Sequence, residues 1–228
     1  MRVAVIIPAL NEAAGIAAAL DALRPLRTDG TFVVVSDGGS ADSTVALATP
    51  RCDAVVAGPS GRARQMNAGA RRASDADAFL FLHADTMLPP GAIAAVIDAL
   101  RAGRHAWGRF DITIAGRSRW LPVVAALMNV RSRLSGIATG DQALFVTREA
   151  FDTCGGFPEW PLMEDIGICR ALKRLSPPAA LRLKVTTAGR RWDAHGPLST
   201  IAFMWWLRLR FFFGADPARL ARSYAAVR

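Results

Sequence analysis

The sequence contains few of the residues that form disulfide frameworks, metal clusters or membrane spans. Its 3 cysteines, Cys52, Cys154 and Cys169, are odd in number and widely spaced, which gives no metal-ligand spacing and no redox pair. No apolar stretch reaches the ~18 residues that a spanning helix needs. The apolar N-terminus stops at Pro8 and is therefore not a signal peptide. We expect a cytoplasmic protein with reduced cysteines.

Lysine is also nearly missing. Lys173 and Lys184 are the only two, so almost all of the 28 basic residues are arginines, against 19 acidic residues and a net charge of +9. Arginine suits bidentate recognition of phosphate and carboxylate groups. The charge predicts an anionic partner and does not choose among nucleotide phosphates, acidic lipid headgroups and nucleic acid.

Motifs of three other protein classes are absent. The first apolar strand is followed by no Gly-x-Gly-x-x-Gly, which disfavours a dinucleotide-dependent oxidoreductase. The same place lacks the glycine-rich basic loop expected of a nucleotidyltransferase that forms sugar nucleotides. No basic–aromatic platform is evident, so we predict no nucleic-acid partner.

The first hundred residues alternate between strand and helix patterns, which predicts a mostly parallel α/β sheet flanked by helices. We predict strands at 3–7, 32–36, 54–57 and 78–82, and helices at 10–23, 40–48, 61–72 and 90–102. In the second half we predict strands at 107–114, 143–147 and 181–186. We also predict helices at 119–134, at 163–175 and through the tail at 197–224, and a short helix that begins at 148. No linker or repeat divides the chain, so we predict one domain over 1–228.

The apolar run at 79–85 ends on a carboxylate, Asp85. Such a run predicts a buried strand, and open α/β sheets bind ligands beyond the carboxyl ends of their strands. A carboxylate there suits Mg²⁺ or Mn²⁺ beside a diphosphate. His83 lies on the same side of the extended segment, where it can support the metal or donate to the diphosphate.

Three other segments carry candidate binding or catalytic residues. Asp37, at the end of the second strand, can accept hydrogen bonds from a base or ribose. Arg62 opens a helix, where a basic side chain is unfavourable unless an anion lies nearby. The adjacent acids Glu164 and Asp165 also open a helix, and an exposed carboxylate facing a sugar-nucleotide site is a natural general base.

Together these motifs resemble the family-2 glycosyltransferases of the GT-A fold, and within them a small bacterial subgroup with poorly defined acceptors. The resemblance covers nearly the whole chain and depends on the order and spacing of seven segments. These are VIIPALNE (5–12), SDGGSADST (36–44), GRARQMNAG (61–69), HADT (83–86), GDQ (140–142), ED (164–165) and His195.

The resemblance implies a role for each segment. Residues 1–103 would bind a nucleoside-diphosphate sugar and 104–228 the acceptor, either a lipid-linked or a small molecule. The implied substrate contacts are Pro8, Ala9, Asn11, Glu12, Asp37, Gly38, Arg62, Arg64, Asn67, His83, Ala84, Asp141, Gln142 and Arg191. The implied metal ligands are Asp85 and His195, and the implied catalytic residues are Asp165, as base, and Glu164.

The implied reaction is metal-dependent glycosyl transfer with inversion at the anomeric carbon. One departure stands out, because His83 occupies the position of the first acid in the family's Asp-x-Asp metal motif. Two alternatives stay open: a nucleotidyltransferase that forms sugar nucleotides, and a relative that binds nucleotide sugars without catalysis.

A second unusual segment is the Trp- and Phe-rich stretch at 201–213. It is too short and too charged to span a bilayer. With Arg208 and Arg210 it could lie in a membrane interface, at the inner face of the membrane. It could equally close the core or form a homodimer contact.

Overall fold

The computed structural model describes residues 1–28 and 30–225, and within them all side chains except those of Thr28, Arg191, His195 and Ala225. The strands are β1 (Val3–Ala9), β2 (Phe32–Asp37), β3 (Ala54–Ala57), β4 (Ala78–Phe81), β5 (Thr86–Met87), β6 (Trp107–Ala115), β7 (Phe145–Thr147) and β8 (Ala179–Ala188). The helices are α1 (Ile16–Thr28), α2 (Thr44–Ala48), α3 (Arg62–Arg72), α4 (Ala92–Arg101), α5 (Leu121–Ser135), α6 (Arg148–Thr153), α7 (Glu164–Leu172), α8 (Arg190–His195), α9 (Pro197–Phe212) and α10 (Pro217–Ala225).

All eight strands belong to one sheet with the order β3-β2-β1-β4-β7-β6-β8-β5. The first half is parallel throughout, with β1 between β2 and β4. β7 joins the two halves because it pairs antiparallel with both β4 and β6. The predicted mixed, mostly parallel sheet flanked by helices is confirmed.

The core lies on both faces of the sheet, as alternation along buried strands requires. Ile7, Val35 and Leu80 belong to a cluster that also contains buried residues of α1, α4 and α5. Ile6 and Phe79 belong to the opposite cluster, with buried residues of α3, α6 and α7. Burial on both faces holds the carboxyl ends of β1, β2 and β4 at one edge.

The first helix differs from its prediction. It begins at Ile16 rather than near Leu10, and it contains Pro25 instead of ending before it. The preceding loop is held by the loop after β2: the Asn11 amide donates to Ser40 Oγ at 2.9 Å and the Glu12 amide to Thr44 Oγ1 at 2.8 Å. These tertiary hydrogen bonds outweigh the local helix propensity.

The C-terminal helices return to the body of the protein. Leu207 of α9 and Leu220 of α10 are buried in a cluster with Leu162, Met163 and Ile166, around the start of α7. Arg208 is half-buried, whereas Arg210 is exposed. Within residues 1–28 and 30–225, no helix has both the length and the apolar character needed to cross a membrane.

Candidate active site

Gln65 of α3 joins the carboxyl ends of β1 and β2. Its Nε2 donates to the carbonyl oxygens of Ala9, at 2.7 Å, and Ser36, at 2.8 Å. Gly38 lies directly against this amide, because a Cβ at residue 38 would be 3.0 Å from the Gln65 side chain. Gln65 lies within the motif at 61–69, and no role was predicted for it. Its buried amide fixes the geometry of this edge.

Asp37 is buried, and its carboxylate shapes the loop that follows β2. One oxygen accepts hydrogen bonds from the amides of Gly39, at 2.9 Å, and Ser40, at 3.0 Å. Asp37 also lines a cavity of about 150 Å³ together with Arg64 and Gln65. Arg64, in the first turn of α3, forms an ion pair with Glu159, with 3.2 Å between Nε and Oε2.

The remaining predicted contacts of the first half lie close by. Pro8 and Ala9 end β1, and the Asn11 side-chain oxygen accepts from the Ala41 amide at 2.9 Å. Asn67 has a different role from the predicted substrate contact. Its amide exchanges two hydrogen bonds of 2.9 Å with the backbone of Phe157, so it joins two protein segments.

Asp85 and Glu12 converge on one guanidinium, that of Arg190. Arg190 Nη2 lies 3.0 Å from Asp85 Oδ2 and 3.3 Å from Glu12 Oε2. The hydrogen bond that Arg190 donates to Asp85 is the main cause that raises the pKa of Arg190. The sequence analysis named the neighbouring Arg191, whose side chain lies outside the described residues, as does that of His195.

His83 contacts Asp141 and packs against Gly140. Its Nδ1 lies 3.2 Å from Asp141 Oδ1, while its Nε2 is buried without a hydrogen-bond partner. A Cβ at residue 140 would collide with this imidazole, so glycine is required there. Ala84 is buried beside it, and the buried Gln142 caps the 140–142 turn through Thr139.

Glu164 and Asp165 differ in environment although they are adjacent at the start of α7. Glu164 is buried, and its Oε1 lies 3.5 Å from Arg62 Nη1. Burial raises the pKa of Glu164, and the charge of Arg62 offsets only part of that rise. Asp165 is half-buried and accepts a hydrogen bond from the Ile166 amide at 2.7 Å. Arg62, His83, Glu164 and Asp165 line one narrow crevice.

Two arginines that the sequence analysis did not connect with the site lie near Asp165. Both Arg131 of α5 and Arg208 of α9 are half-buried and are influenced by the charge of Asp165. Burial, followed by the charge of Arg208, lowers the pKa of Arg131 to about 10. Arginines are common throughout this sequence, so no sequence signal distinguishes these two.

The described side chains supply only some of the ligands that a divalent cation needs, and a bound substrate would have to supply the others. Among the described residues, no three His, Cys, Asp or Glu side chains form a group that could hold a metal ion. Asp85 and Glu12 nevertheless share one cation, Arg190, so their oxygens are arranged around a positive charge. Mg²⁺ sites commonly use one or two carboxylates and complete their coordination with substrate phosphates.

Comparisons with known proteins identify the group to which this site belongs. A family model described as Glycosyl transferase family 2 matches residues 4–162. No curated protein matches the chain in sequence.

Several solved structures share the fold. TarS of S. aureus in complex with UDP aligns with a TM-score of 0.66 and 15% identity, over 82% of this chain and 60% of TarS. The mannosyltransferase PcManGT of Pyrobaculum calidifontis, in complex with GDP-Man and Mn²⁺, aligns with a TM-score of 0.63 and 21% identity, over 91% of this chain and 60% of the mannosyltransferase. Glucosyl-3-phosphoglycerate synthase of Mycobacterium tuberculosis, in complex with Mn²⁺, UDP and glucosyl-3-phosphoglycerate, aligns with a TM-score of 0.63 and 22% identity, over 89% of this chain and 75% of the synthase. The chain thus spans about 60% of the TarS chain.

Proposed function

The chain belongs to glycosyl transferase family 2, and from this membership we propose that it moves a sugar from a nucleoside-diphosphate sugar to an acceptor hydroxyl with inversion. The observation that carries the proposal is the crevice at the sheet edge. There the Arg62–Glu164 ion pair, the half-buried Asp165 and His83 meet beyond the buried strand β4. TarS and the mannosyltransferase, which share the fold, were solved with UDP and GDP-Man respectively, which supports a nucleotide-sugar donor.

Asp165 is the better general base of the two adjacent acids. Glu164 is buried, faces Arg62 and has a raised pKa because of burial, so it is occupied in positioning that arginine. Asp165 keeps part of its carboxylate open to the crevice. It would remove the proton from the acceptor hydroxyl as that oxygen attacks the anomeric carbon.

Arg62 would stabilise the leaving nucleoside diphosphate. It lies at the N-terminus of α3, where backbone N–H groups and the helix dipole already favour an anion. The cavity beside Asp37 and Arg64 lies one helical turn further along α3 and would receive the nucleoside. Residues 1–103 would thus form the donor half and 104–228 the acceptor half.

A divalent metal, Mg²⁺ or Mn²⁺, would be held by Asp85, with Glu12 close by. The Mn²⁺ in the structures of the mannosyltransferase and the phosphoglycerate synthase supports this assignment. When bound, the metal would offset negative charge on the diphosphate. Arg190 now neutralises Asp85, so the guanidinium has to withdraw when the metal and donor bind.

The test is Asp165→Asn, which preserves shape and removes the basic oxygen. We expect transfer to fall by about 10²–10⁴-fold, with nucleotide binding unchanged by calorimetry. Asp98→Asn, at an exposed position of α4, is the matched control and should retain activity. Near-normal turnover of Asp165→Asn, or a product that retains the donor's anomeric configuration by NMR, would refute the mechanism.

We also propose that α5 and α9 form a membrane-contact surface. On α5 and its N-cap, Trp120, Val123, Leu127, Val130 and Leu134 are exposed at three- and four-residue spacing. The exposed apolar residues of α9 and its C-cap are Leu198, Trp205, Trp206, Leu209, Phe212 and Phe213. These eleven are most of the seventeen large hydrophobic side chains exposed among the described residues.

The occupant that fits this surface is an anionic bilayer. Neither helix contains an acidic residue, and Arg119 and Arg210 are exposed beside the apolar stripes. Trp and Phe flanked by arginine are typical of elements that lie in a membrane interface. A second copy packed by two-fold symmetry would instead bring these arginines close to like charges.

Co-sedimentation with vesicles tests the surface. Wild type should bind vesicles containing phosphatidylglycerol more strongly than pure phosphatidylcholine vesicles, and Leu127→Glu and Leu209→Glu should each abolish binding. Leu175→Glu, at an exposed position outside both helices, should bind like wild type. Failure to bind together with concentration-dependent dimerisation in light scattering would assign the surface to a second copy.

A further inference from the structure

Helix α8 brings Arg190 to the donor site, although it is too short to keep a position by itself. It has six residues, and isolated helices of this length are unstable in water because nucleation costs more free energy than so few hydrogen bonds supply. Arg190 is also exposed, with 62% of its side chain accessible, so fixing its rotamer costs entropy. Its bridge between Asp85 and Glu12 therefore requires that other parts of the protein hold α8 in place.

The first anchor of α8 is the residue that precedes it. The Gly189 amide donates to the Ala115 carbonyl at 2.6 Å, at the point where β6 and β8 end side by side. A Cβ at residue 189 would be 2.7 Å from that carbonyl oxygen, so the close approach requires glycine. This hydrogen bond fixes where α8 leaves the sheet, but a single bond leaves the helix free to rotate about its axis.

The second anchor is the carboxylate of Asp193. Its two oxygens each lie 3.0 Å from the Arg117 amide nitrogen, and Oδ1 also accepts from the Ser118 amide at 3.2 Å. Gly116 leaves room for this carboxylate, since a Cβ there would be 2.9 Å from Oδ2. Hydrogen bonds from backbone amides to a carboxylate are charge-assisted and stronger than neutral ones. The turn at 115–118 therefore holds α8 at two points.

Asp193 and Arg190 lie three residues apart on α8, which places them on one side of the helix. A carboxylate fixed against the turn at 115–118 therefore sets the rotation of α8, and with it the direction of Arg190. The guanidinium Nη2 then lies 3.0 Å from Asp85 Oδ2 and 3.3 Å from Glu12 Oε2. The hydrogen bonds of Asp193 go to the turn, so its influence on the donor site runs through the helix.

We propose that Asp193 is a positioning residue that holds Arg190 between Asp85 and Glu12 and thereby sets how strongly nucleotide binding depends on the metal. The inference rests on the proposed function, in which a nucleoside diphosphate binds at this edge of the sheet. Arg190 partly neutralises two carboxylates, so a diphosphate meets less repulsion there when no metal is bound. The same guanidinium competes with a metal ion for the Asp85 carboxylate.

Loss of Asp193 should consequently change nucleotide binding in two opposite directions. Binding without metal should weaken, because the two carboxylates lose their neutralising cation. Binding with metal should strengthen, because Asp85 is no longer occupied. A general loss of stability would instead weaken binding under both conditions, so the ratio of the two affinities separates positioning from a merely structural role.

Calorimetric titration of Asp193→Ala with UDP and with GDP, in Mn²⁺ and in EDTA, tests the proposal. We expect the ratio of the affinity in Mn²⁺ to the affinity in EDTA to rise by about twofold to fivefold, the size of effect that an exposed ion pair supplies. Asp216→Ala is the matched control, because Asp216 is an exposed acid that also accepts a backbone hydrogen bond, from the Ala218 amide at 2.8 Å. Its affinity ratio should equal that of wild type.

A double-mutant cycle separates the positioning of Arg190 from any other effect of Asp193. In the Arg190→Met background, Asp193→Ala should leave the affinity ratio unchanged, because the side chain that it positions is gone. An unchanged or lower ratio in Asp193→Ala alone, or an equal rise in both backgrounds, would overturn the proposal. If wild type binds neither UDP nor GDP under either condition, the proposed function fails, and this inference fails with it.

Discussion

Arg131→Met should make the protein more stable. Burial, followed by the charge of Arg208, lowers the pKa of Arg131 to about 10, which corresponds to an upper limit of roughly 3 kcal/mol of unfavourable energy for the charged side chain. Because the side chain is only half-buried, solvent screening reduces the expected gain to about 1–2 kcal/mol. Methionine preserves helix propensity and most of the side-chain volume.

The sign follows from the direction of the pKa shift. A base whose pKa is lower in the folded state destabilises the fold at every pH below about 10, where it is charged in both states. The penalty therefore applies in full at neutral pH and disappears only as the pH rises past the higher pKa that this arginine has in the unfolded chain. For a chain of this length, a gain of about 1–2 kcal/mol raises Tm by roughly 2–8 °C.

The assay is thermal unfolding followed by circular dichroism in a phosphate-free buffer of low ionic strength. Arg133→Met is the matched control on the same helix. It removes an arginine paired with Asp111 at 2.6 Å and should lower stability by about 1–3 kcal/mol. A fall in Tm for Arg131→Met as large as that for Arg133→Met would refute the argument that Arg131 is an uncompensated charge.

Three further predictions concern the sheet edge. Arg190→Met should free Asp85 and strengthen Mn²⁺-dependent nucleotide binding, whereas Asp85→Ala should weaken it. Calorimetric titration of the nucleotide with and without Mn²⁺ measures both effects. Equal nucleotide affinities of wild type and Arg190→Met would exclude competition between Arg190 and the metal for Asp85. Gly140→Ala should lower both Tm and transfer, because the added Cβ would displace the imidazole of His83. Gly103→Ala adds strain at a positive φ with no atom near its Cβ, so it should lower Tm and retain activity. Because burial raises the pKa of Glu164, wild type should gain stability as the pH falls through that raised pKa toward the unfolded pKa of a glutamate. Glu164→Gln should lose this pH dependence in thermal scans.

Much of the first half of the fold was predictable because it depends on local pattern. Apolar runs located β1 to β4, and the predicted third strand matches β3 exactly. The place of Asp85 beyond β4 followed from the same reasoning. The 10–15 loop could not be predicted, because Asn11 adopts a positive φ of 54° and is held by a segment about 30 residues away.

The site was predictable where motifs mark strand ends and not where residues meet through tertiary packing. Arg190 reaches Asp85 only because β8 and α8 bring it there, and the sequence favoured its neighbour. Arg131 and Arg208 lie on two helices that are distant in sequence, and the charge of Asp165 influences both. No pairwise sequence spacing encodes such a meeting. The strand at β7 was predicted, but its pairing was not, since the alternation of strands and helices predicts parallel neighbours and not an antiparallel insertion.

The backbone beside Asp85 has a consequence for how the C-terminal helices can vary. The Ala188 amide donates to the Asp85 carbonyl at 3.1 Å, and Arg190 follows two residues later. The arginine and its carboxylate partner are therefore fixed to one shared point of the sheet. Helices α9 and α10 can lengthen, shorten or change their surface without altering the distance between Arg190 and Asp85. The exposed apolar surface of α9 can therefore change in evolution while the ion pair between Arg190 and Asp85 stays constant.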